Sequence, residues 1–166
     1  MASRSLEDLK KETKKKAEAF LELCRKNDLE VLVYCTLRPP EEQARLYRQS
    51  RSRDQIRAKA AELKNEWGRP DLAELLISVG PQEGPLVTYA GPGQSMHQYG
   101  LAFDAVPCRG GKPVWGTRRD EDHRMWDLFG QFGVKAGLEW AGEWTRFIEF
   151  PHLQEPGAQW QELIKS

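Results

Sequence analysis

The chain has 166 residues, 39% hydrophobic and 10% aromatic, which is enough to bury a core without disulfide or metal staples. Its 25 Lys and Arg balance 25 Asp and Glu, which excludes a strongly basic nucleic-acid binder and an acidic disordered tail. The balance is uneven along the chain: residues 1–70 carry 17 basic against 12 acidic side chains, and the remainder 8 against 13. Cys24, Cys35 and Cys108 are odd in number and widely spaced, with no Cys-x-x-Cys pair. They read as buried free thiols, which suits synthesis in a reducing cytoplasm.

Leu6, Leu9, Thr13, Ala17, Phe20 and Cys24 recur at helical spacing and predict an amphipathic helix over 5–26, its lysines on the outer face. The same Met1–Phe20 stretch lacks an apolar h-region, so no secretory signal is expected. Val31–Thr36 is apolar and β-branched and predicts a buried strand. Pro40 followed by Glu41 and Glu42 is a helix start, with proline in the first turn and acids at the positive dipole end. Helices are predicted over 41–49, 54–67 and 71–79, the second broken by Gly68-Arg69-Pro70. Strands are predicted at Leu86–Tyr89 and Leu101–Val106, then a Gly110-Gly111 hairpin back to Pro113-Val114-Trp115. Met125, Phe129 and Phe132 stripe a helix over 120–136 closed by Gly137. A last strand is predicted at Trp144–Phe150, and Trp160, Leu163 and Ile164 mark a terminal helix. The longest stretch without Asp, Glu, Lys or Arg, Gly84–Phe103, is interrupted by glycines and prolines, so stable membrane insertion is not expected. Short strands alternating with helices predict an α+β fold in a single domain, a small mainly antiparallel sheet flanked by helices.

Asp104 stands in the middle of an apolar strand, where a carboxylate is costly without a partner. Arg109 is the nearest cation in sequence; a metal is the alternative. His97 lies seven residues upstream across a glycine, and His152 follows Pro151. Two imidazoles and a carboxylate suit a catalytic zinc, which has three protein ligands and keeps one position open for water. Glu149, three residues before His152, is placed to take a proton from that water without ligating the metal. The bland alternative is a core histidine with an Asp104–Arg109 ion pair. His123, amid Asp120, Glu121 and Asp122, reads as an exposed helix residue.

The segment Ser95-x-His97-x-x-Gly100-x-Ala102-x-Asp104 resembles the first zinc motif of the M15 peptidases, the D-alanyl-D-alanine carboxypeptidases and L-alanyl-D-glutamate endopeptidases. Glu149-Phe150-Pro151-His152 resembles their second motif. Thr36-Leu37-Arg38 with Glu41-Glu42-Gln43 and Leu46-Tyr47, then Val87–Gly93, then Gly137–Trp144 resemble three further family segments, all in order. The resemblance implies a D-Ala-D-Ala carboxypeptidase/hedgehog-like fold. It implies one zinc per chain held by His97, Asp104 and His152, with Glu149 as general base. It implies that Arg38 holds a substrate carbonyl or carboxylate, a task suited to a guanidinium fork. Ser95 is either an orienting group beside the ligand loop or a plain turn hydroxyl. Trp144 either lines the peptide groove or packs in the core. Endolysins of the family usually carry Asp where this chain has Glu149, and the carboxypeptidase branch often has Glu. Residues 50–85 are longer than the family stretch and are expected to form a helical insertion.

The function implied is zinc-dependent hydrolysis of a peptidoglycan stem peptide at L-Ala-D-Glu, as in a phage endolysin. The enzyme would be made in the host cytoplasm and act on the wall after release, as a monomer, without a separate wall-binding domain. Removal of terminal D-Ala by a D,D-carboxypeptidase is the alternative, and a non-catalytic zinc-containing binding module is the alternative of another class. Nucleic acid is not an expected partner: Arg45, Arg48, Arg51, Arg53 and Arg57 sit beside acids without aromatic interleaving.

Overall fold

A computed structural model describes residues 1–165. The chain forms two compact units, each discontinuous in sequence. The first gathers Met1–Ala2, Arg38–Tyr99 and the segment from Gln159; the second gathers Ser3–Leu37 and Gly100–Ala158.

The first unit is helical. α1 (Lys11–Lys26) and α5 (Asp120–Lys135) belong to the second unit; here α2 (Pro40–Arg48), α3 (Arg53–Asn65) and α4 (Pro70–Ser78) precede a 3-10 turn at Met96–Tyr99, and α6 (Trp160–Leu163) closes the unit. α2 and α4 both start with proline in the first turn, where no amide donor is needed. α3 starts with a capping box: Ser52 Oγ accepts the Gln55 amide while the Gln55 side chain accepts the Ser52 amide. Ala44, Tyr47, Ile56, Leu63, Leu72, Leu76 and Ile164 form its buried core. The helices within 50–85 therefore supply much of that core. Leu86–Tyr89 is not a strand. Its Leu86, Val87 and Tyr89 side chains are exposed, and the Thr88 carbonyl is held by the Arg51 guanidinium at 2.6 Å.

The second unit carries α1 (Lys11–Lys26), α5 (Asp120–Lys135) and an antiparallel sheet. Its strands are β1 (Glu30–Cys35), β2 (Ala102–Arg109), β3 (Lys112–Pro113), β4 (Glu139–Trp140) and β5 (His152–Gln154). The order is β1-β2-β5-β4, with β3 paired to β2 through the expected hairpin. The expected α+β class with a small antiparallel sheet and flanking helices is borne out. The α1 stripe is buried at Thr13, Ala17, Phe20 and Cys24, preceded by a 3-10 turn at Leu6–Asp8 instead of continuous helix. Phe20 meets Phe129 of α5 edge-on, ring centroids 5.1 Å apart. β1 was expected to be buried, but it ends the strand order and only Cys35 is fully buried.

The expected strand at Trp144–Phe150 is absent. A 3-10 turn at Ala141–Glu143 leads into bends, Phe147 adopts φ 52°, and the strand comes later, at β5. Pro151 cannot donate a ladder hydrogen bond, so an apolar run ending at that proline is a poor inner strand.

The pleat assigns each side chain of the sheet to a face. Phe103 pairs Leu153 and Leu153 pairs Trp140, and all three turn into the core with Phe20, Trp126 and Phe129. α5 approaches closely because Gly130 and Gly133 have no side chain. A Cβ on Gly130 would fall well inside 3.0 Å of the Trp140 ring, and one on Gly133 would meet Leu153 Cδ2 at 2.5 Å.

Candidate metal centre

The opposite face of that sheet carries a cluster of polar side chains around Asp104. Asp104 of β2 lies directly across the ladder from His152 of β5, so both side chains rise on one face. His152 Nδ1 is 3.1 Å from Asp104 Oδ1. The ring is buried and its Nε2 is 2.9 Å from Gln154 Oε1, two residues further on the same face. Gln154 Nε2 donates to Glu139 Oε2 at 3.3 Å, from the opposing position on β4. The other carboxylate oxygen, Glu139 Oε1, accepts the Trp144 indole N–H at 2.9 Å. The Trp144 ring centroid lies 5.6 Å from that of His152. Cys35 pairs Asp104 on the other side of β2, and it is buried with a free thiol, as are Cys24 and Cys108.

Arg109 does not serve Asp104. Five positions along a strand is an odd step, which places its side chain on the other face and about 17 Å away. Arg109 Nη2 instead donates to Asp122 Oδ1 at 2.9 Å.

The His152–Asp104 pair fits a zinc ion. Bonds of about 2.0–2.1 Å at tetrahedral angles put two N/O ligand atoms about 3.3 Å apart, close to the spacing of Nδ1 and Oδ1. A lone pair on Nδ1 facing a carboxylate also requires a cation between them, either a proton or a metal.

Glu149 is exposed, and so are its neighbours Phe147 and Ile148 at 57% and 55%. The apolar side chains beside it in sequence therefore do not shield it from water. Its backbone is tied on both sides: its amide donates to Ala141 O and its carbonyl accepts from the His152 amide, each at 3.2 Å. Trp140 Nε1 donates to Phe150 O at 2.7 Å, anchoring the same loop to the core.

In the first unit, His97 is 3% exposed, in the 3-10 turn after Ser95. Ser95 Oγ accepts the His97 amide at 3.3 Å, and the Gln98 side chain accepts the Ser95 amide at 3.2 Å. Ser95 thus shapes the turn that carries the histidine. The His97 carbonyl accepts the Arg38 amide at 3.1 Å. Arg38 Nη1 donates to Gln43 Oε1 at 3.0 Å. Gln43 is wholly buried, and its amide donates to Ala90 O and Thr88 Oγ1 at 2.8 and 3.2 Å. The guanidinium is thereby aimed by a side chain that is itself held at both ends. His123 is exposed beside Asp127, as expected.

The model of the VanY D-alanyl-D-alanine carboxypeptidases matches residues 6–114, well over half of the chain. The chain belongs to this peptidase family. A second model, an M15 peptidase family also described as D-alanyl-D-alanine carboxypeptidase, matches residues 89–155. Among curated relatives, the peptidoglycan L-alanyl-D-glutamate endopeptidase CwlK of Bacillus subtilis (strain 168) is 36% identical over 77 residues, 44% of this chain and 46% of its own. The L-alanyl-D-glutamate peptidase of Listeria phage A118 is 28% identical over 158 residues, 92% of this chain and 41% of its own. The chain thus spans less than half the length of these two relatives. Among solved structures, the Serratia marcescens L-Ala D-Glu endopeptidase ChiX superposes with a TM-score of 0.52 at 18% identity, over 93% of this chain and 88% of its own. A Zn(II) complex of the vancomycin resistance D,D-pentapeptidase VanY superposes with a TM-score of 0.50 at 17% identity, over 90% of this chain and 73% of its own. Both show the fold.

Proposed function

We propose that this chain is the catalytic part of a zinc-dependent peptidoglycan peptidase that hydrolyses the L-Ala-D-Glu bond of the stem peptide, as an endolysin. The observation that carries the reading is the Asp104–His152 pair, a carboxylate and an imidazole facing each other at ligand spacing on one face of the sheet. In this proposal His97, Asp104 and His152 hold one zinc per chain. Support for His97 comes from its place in the motif, seven residues before Asp104, and from its buried, hydrogen-bonded turn. The metal, when bound, supplies Lewis acidity to the scissile carbonyl and to the attacking water.

The remaining chemistry falls to side chains. Glu149 takes the proton of the attacking water on its carboxylate and returns it to the leaving amine. Arg38 holds the carbonyl oxygen as negative charge grows there, and Gln43 keeps the guanidinium aimed. Ser95 sets the His97 turn, and Trp144 forms a wall beside His152 for the peptide. The substrate is the wall stem peptide, reached after release from the cytoplasm, by a monomer. Among the described residues no helix is long and apolar enough to cross a membrane.

One observation favours a second reading. Both family models are described as D-alanyl-D-alanine carboxypeptidases. Digestion of purified peptidoglycan separates the two. New D-Glu amino termini by mass analysis identify the endopeptidase, and released D-Ala identifies the carboxypeptidase. Neither product from zinc-loaded protein sinks both readings and leaves a binding module.

A further inference from the structure

We propose that Gln154 and Glu139 are positioning residues that lock the His152 imidazole into one tautomer, with the proton on Nε2 and the lone pair of Nδ1 turned to the metal. The lone pair on Nδ1 rests on the zinc reading above; the proton on Nε2 does not.

The argument starts from Glu139, whose carboxylate only accepts hydrogen bonds. Its Oε1 already receives the Trp144 indole N–H, which can only donate. Its Oε2 faces Gln154, so Gln154 must present its NH2 group there. That settles the amide orientation and leaves Gln154 Oε1 toward His152 at 2.9 Å. A carbonyl oxygen needs a donor, so His152 Nε2 carries the proton. In a neutral imidazole the lone pair then lies on Nδ1, the nitrogen that faces Asp104 Oδ1. The chain Trp144–Glu139–Gln154–His152 therefore fixes both that Nε2 carries a proton and which way the ring points.

Register builds this arrangement. His152 and Gln154 are two apart on β5, and Glu139 opposes Gln154 on β4, so all three share a face. Gln154 is itself buried, 8% exposed, so water is a poor substitute acceptor. Hydrogen bonds of this kind around metal-ligating histidines change metal affinity by about 10–100-fold when removed.

The test combines ring nitrogen NMR with zinc affinity measured by competition against a chromophoric chelator. Only three histidines are present, so the imidazole 15N spectrum is simple to assign with His97→Ala and His123→Ala. In metal-free and zinc-loaded protein, His152 Nε2 should resonate as a protonated, pyrrole-type nitrogen. A pyridine-type Nε2 in either form overturns the proposal. Gln154→Leu should weaken zinc about 10–100-fold and release the tautomer preference. The paired exchange Gln154→Glu/Glu139→Gln keeps every donor facing an acceptor, so it should recover most of the lost affinity. Unchanged affinity in Gln154→Leu, or a paired exchange as weak as Gln154→Leu, overturns the positioning role. If Gln154→Leu fails to fold, the paired exchange and the wild-type spectrum carry the test. A wild-type chain that binds no zinc yet shows the Nε2 proton, lost in Gln154→Leu, would remove the zinc reading and support the hydrogen-bond chain.

Discussion

Gly130→Ala tests whether the core face of the sheet fixes the loop before His152. A Cβ at this position lands well inside 3.0 Å of Cε3, Cζ3 and Cδ2 of Trp140, where carbon atoms rest at about 3.5–4.0 Å. The indole must withdraw by about an ångström or more, and it has little room. Its other edge donates to Phe150 O at 2.7 Å, and its ring packs 5.7 Å from that of Phe150. Overpacking costs about 1–3 kcal/mol, and loss of the indole hydrogen bond about 1 kcal/mol more. Alanine returns about 1 kcal/mol of helix propensity in α5. The net expectation is about 2 kcal/mol of destabilisation, or about 4–8 °C in Tm for a chain of this length. Because Phe150 leads directly into Pro151-His152, zinc affinity should fall as well. Thermal unfolding and chelator competition measure the two effects. A Gly130→Ala protein as stable as wild type would refute the packing argument. One that is destabilised but holds zinc normally would refute the coupling between core and loop.

Glu149→Gln keeps the shape and removes the proton acceptor, so turnover on peptidoglycan should drop by about 10²–10⁴-fold while bound zinc stays stoichiometric; zinc loss would make Glu149 a ligand. Arg38→Lys keeps charge but loses the fork that also engages Gln43, so most of the rate should go, and an Arg38→Ala enzyme with full turnover would remove Arg38 from the mechanism. Burial opposes ionisation of Glu62, but hydrogen bonds from Lys59, Gln94 and Trp67 outweigh it and hold its carboxyl below the ordinary value of 4.5. The stability this adds is complete above pH 4.5 and is lost as pH falls through the lower, folded-state value, so Glu62→Gln should flatten the acid limb of a stability–pH curve; an unchanged limb would contradict the assignment. Burial pushes the Cys24 thiol up to about 12, so a maleimide at pH 8 should label Cys24 only as fast as the protein unfolds, and rapid labelling of Cys24 in the native protein would contradict its burial.

The sequence made the helices legible because each buries a stripe at 3.6-residue period. The α1 stripe from Thr13 to Cys24 and the α5 stripe through Phe129 both point inward as their spacing predicts. The strands were harder. Leu86–Tyr89 and Trp144–Phe150 have strand composition, but composition cannot say whether a partner strand lies alongside. In the first, an arginine side chain takes the backbone oxygen of Thr88. In the second, the left-handed turn at Phe147 and the proline at 151 end any ladder before it starts. β5 itself, three residues long, is too short for periodicity to register.

The candidate ligands were legible for a different reason: motif spacing marks residues whose burial would otherwise be costly. Asp104 in an apolar strand signals a partner, and the pleat rules out Arg109 as that partner. The residues proposed to position His152 left no such mark. Gln154 and Glu139 look like ordinary polar positions until the β4–β5 register sets them opposite each other. That register is decided on the other face, where Leu153 and Trp140 fill the space left by Gly133 and Gly130. A slip of one residue in β5 would turn His152 into the core and Leu153 outward, an exchange the closely packed α5 does not allow. The polar chain on one face of the sheet thus depends on the glycines that let a helix lie against the other.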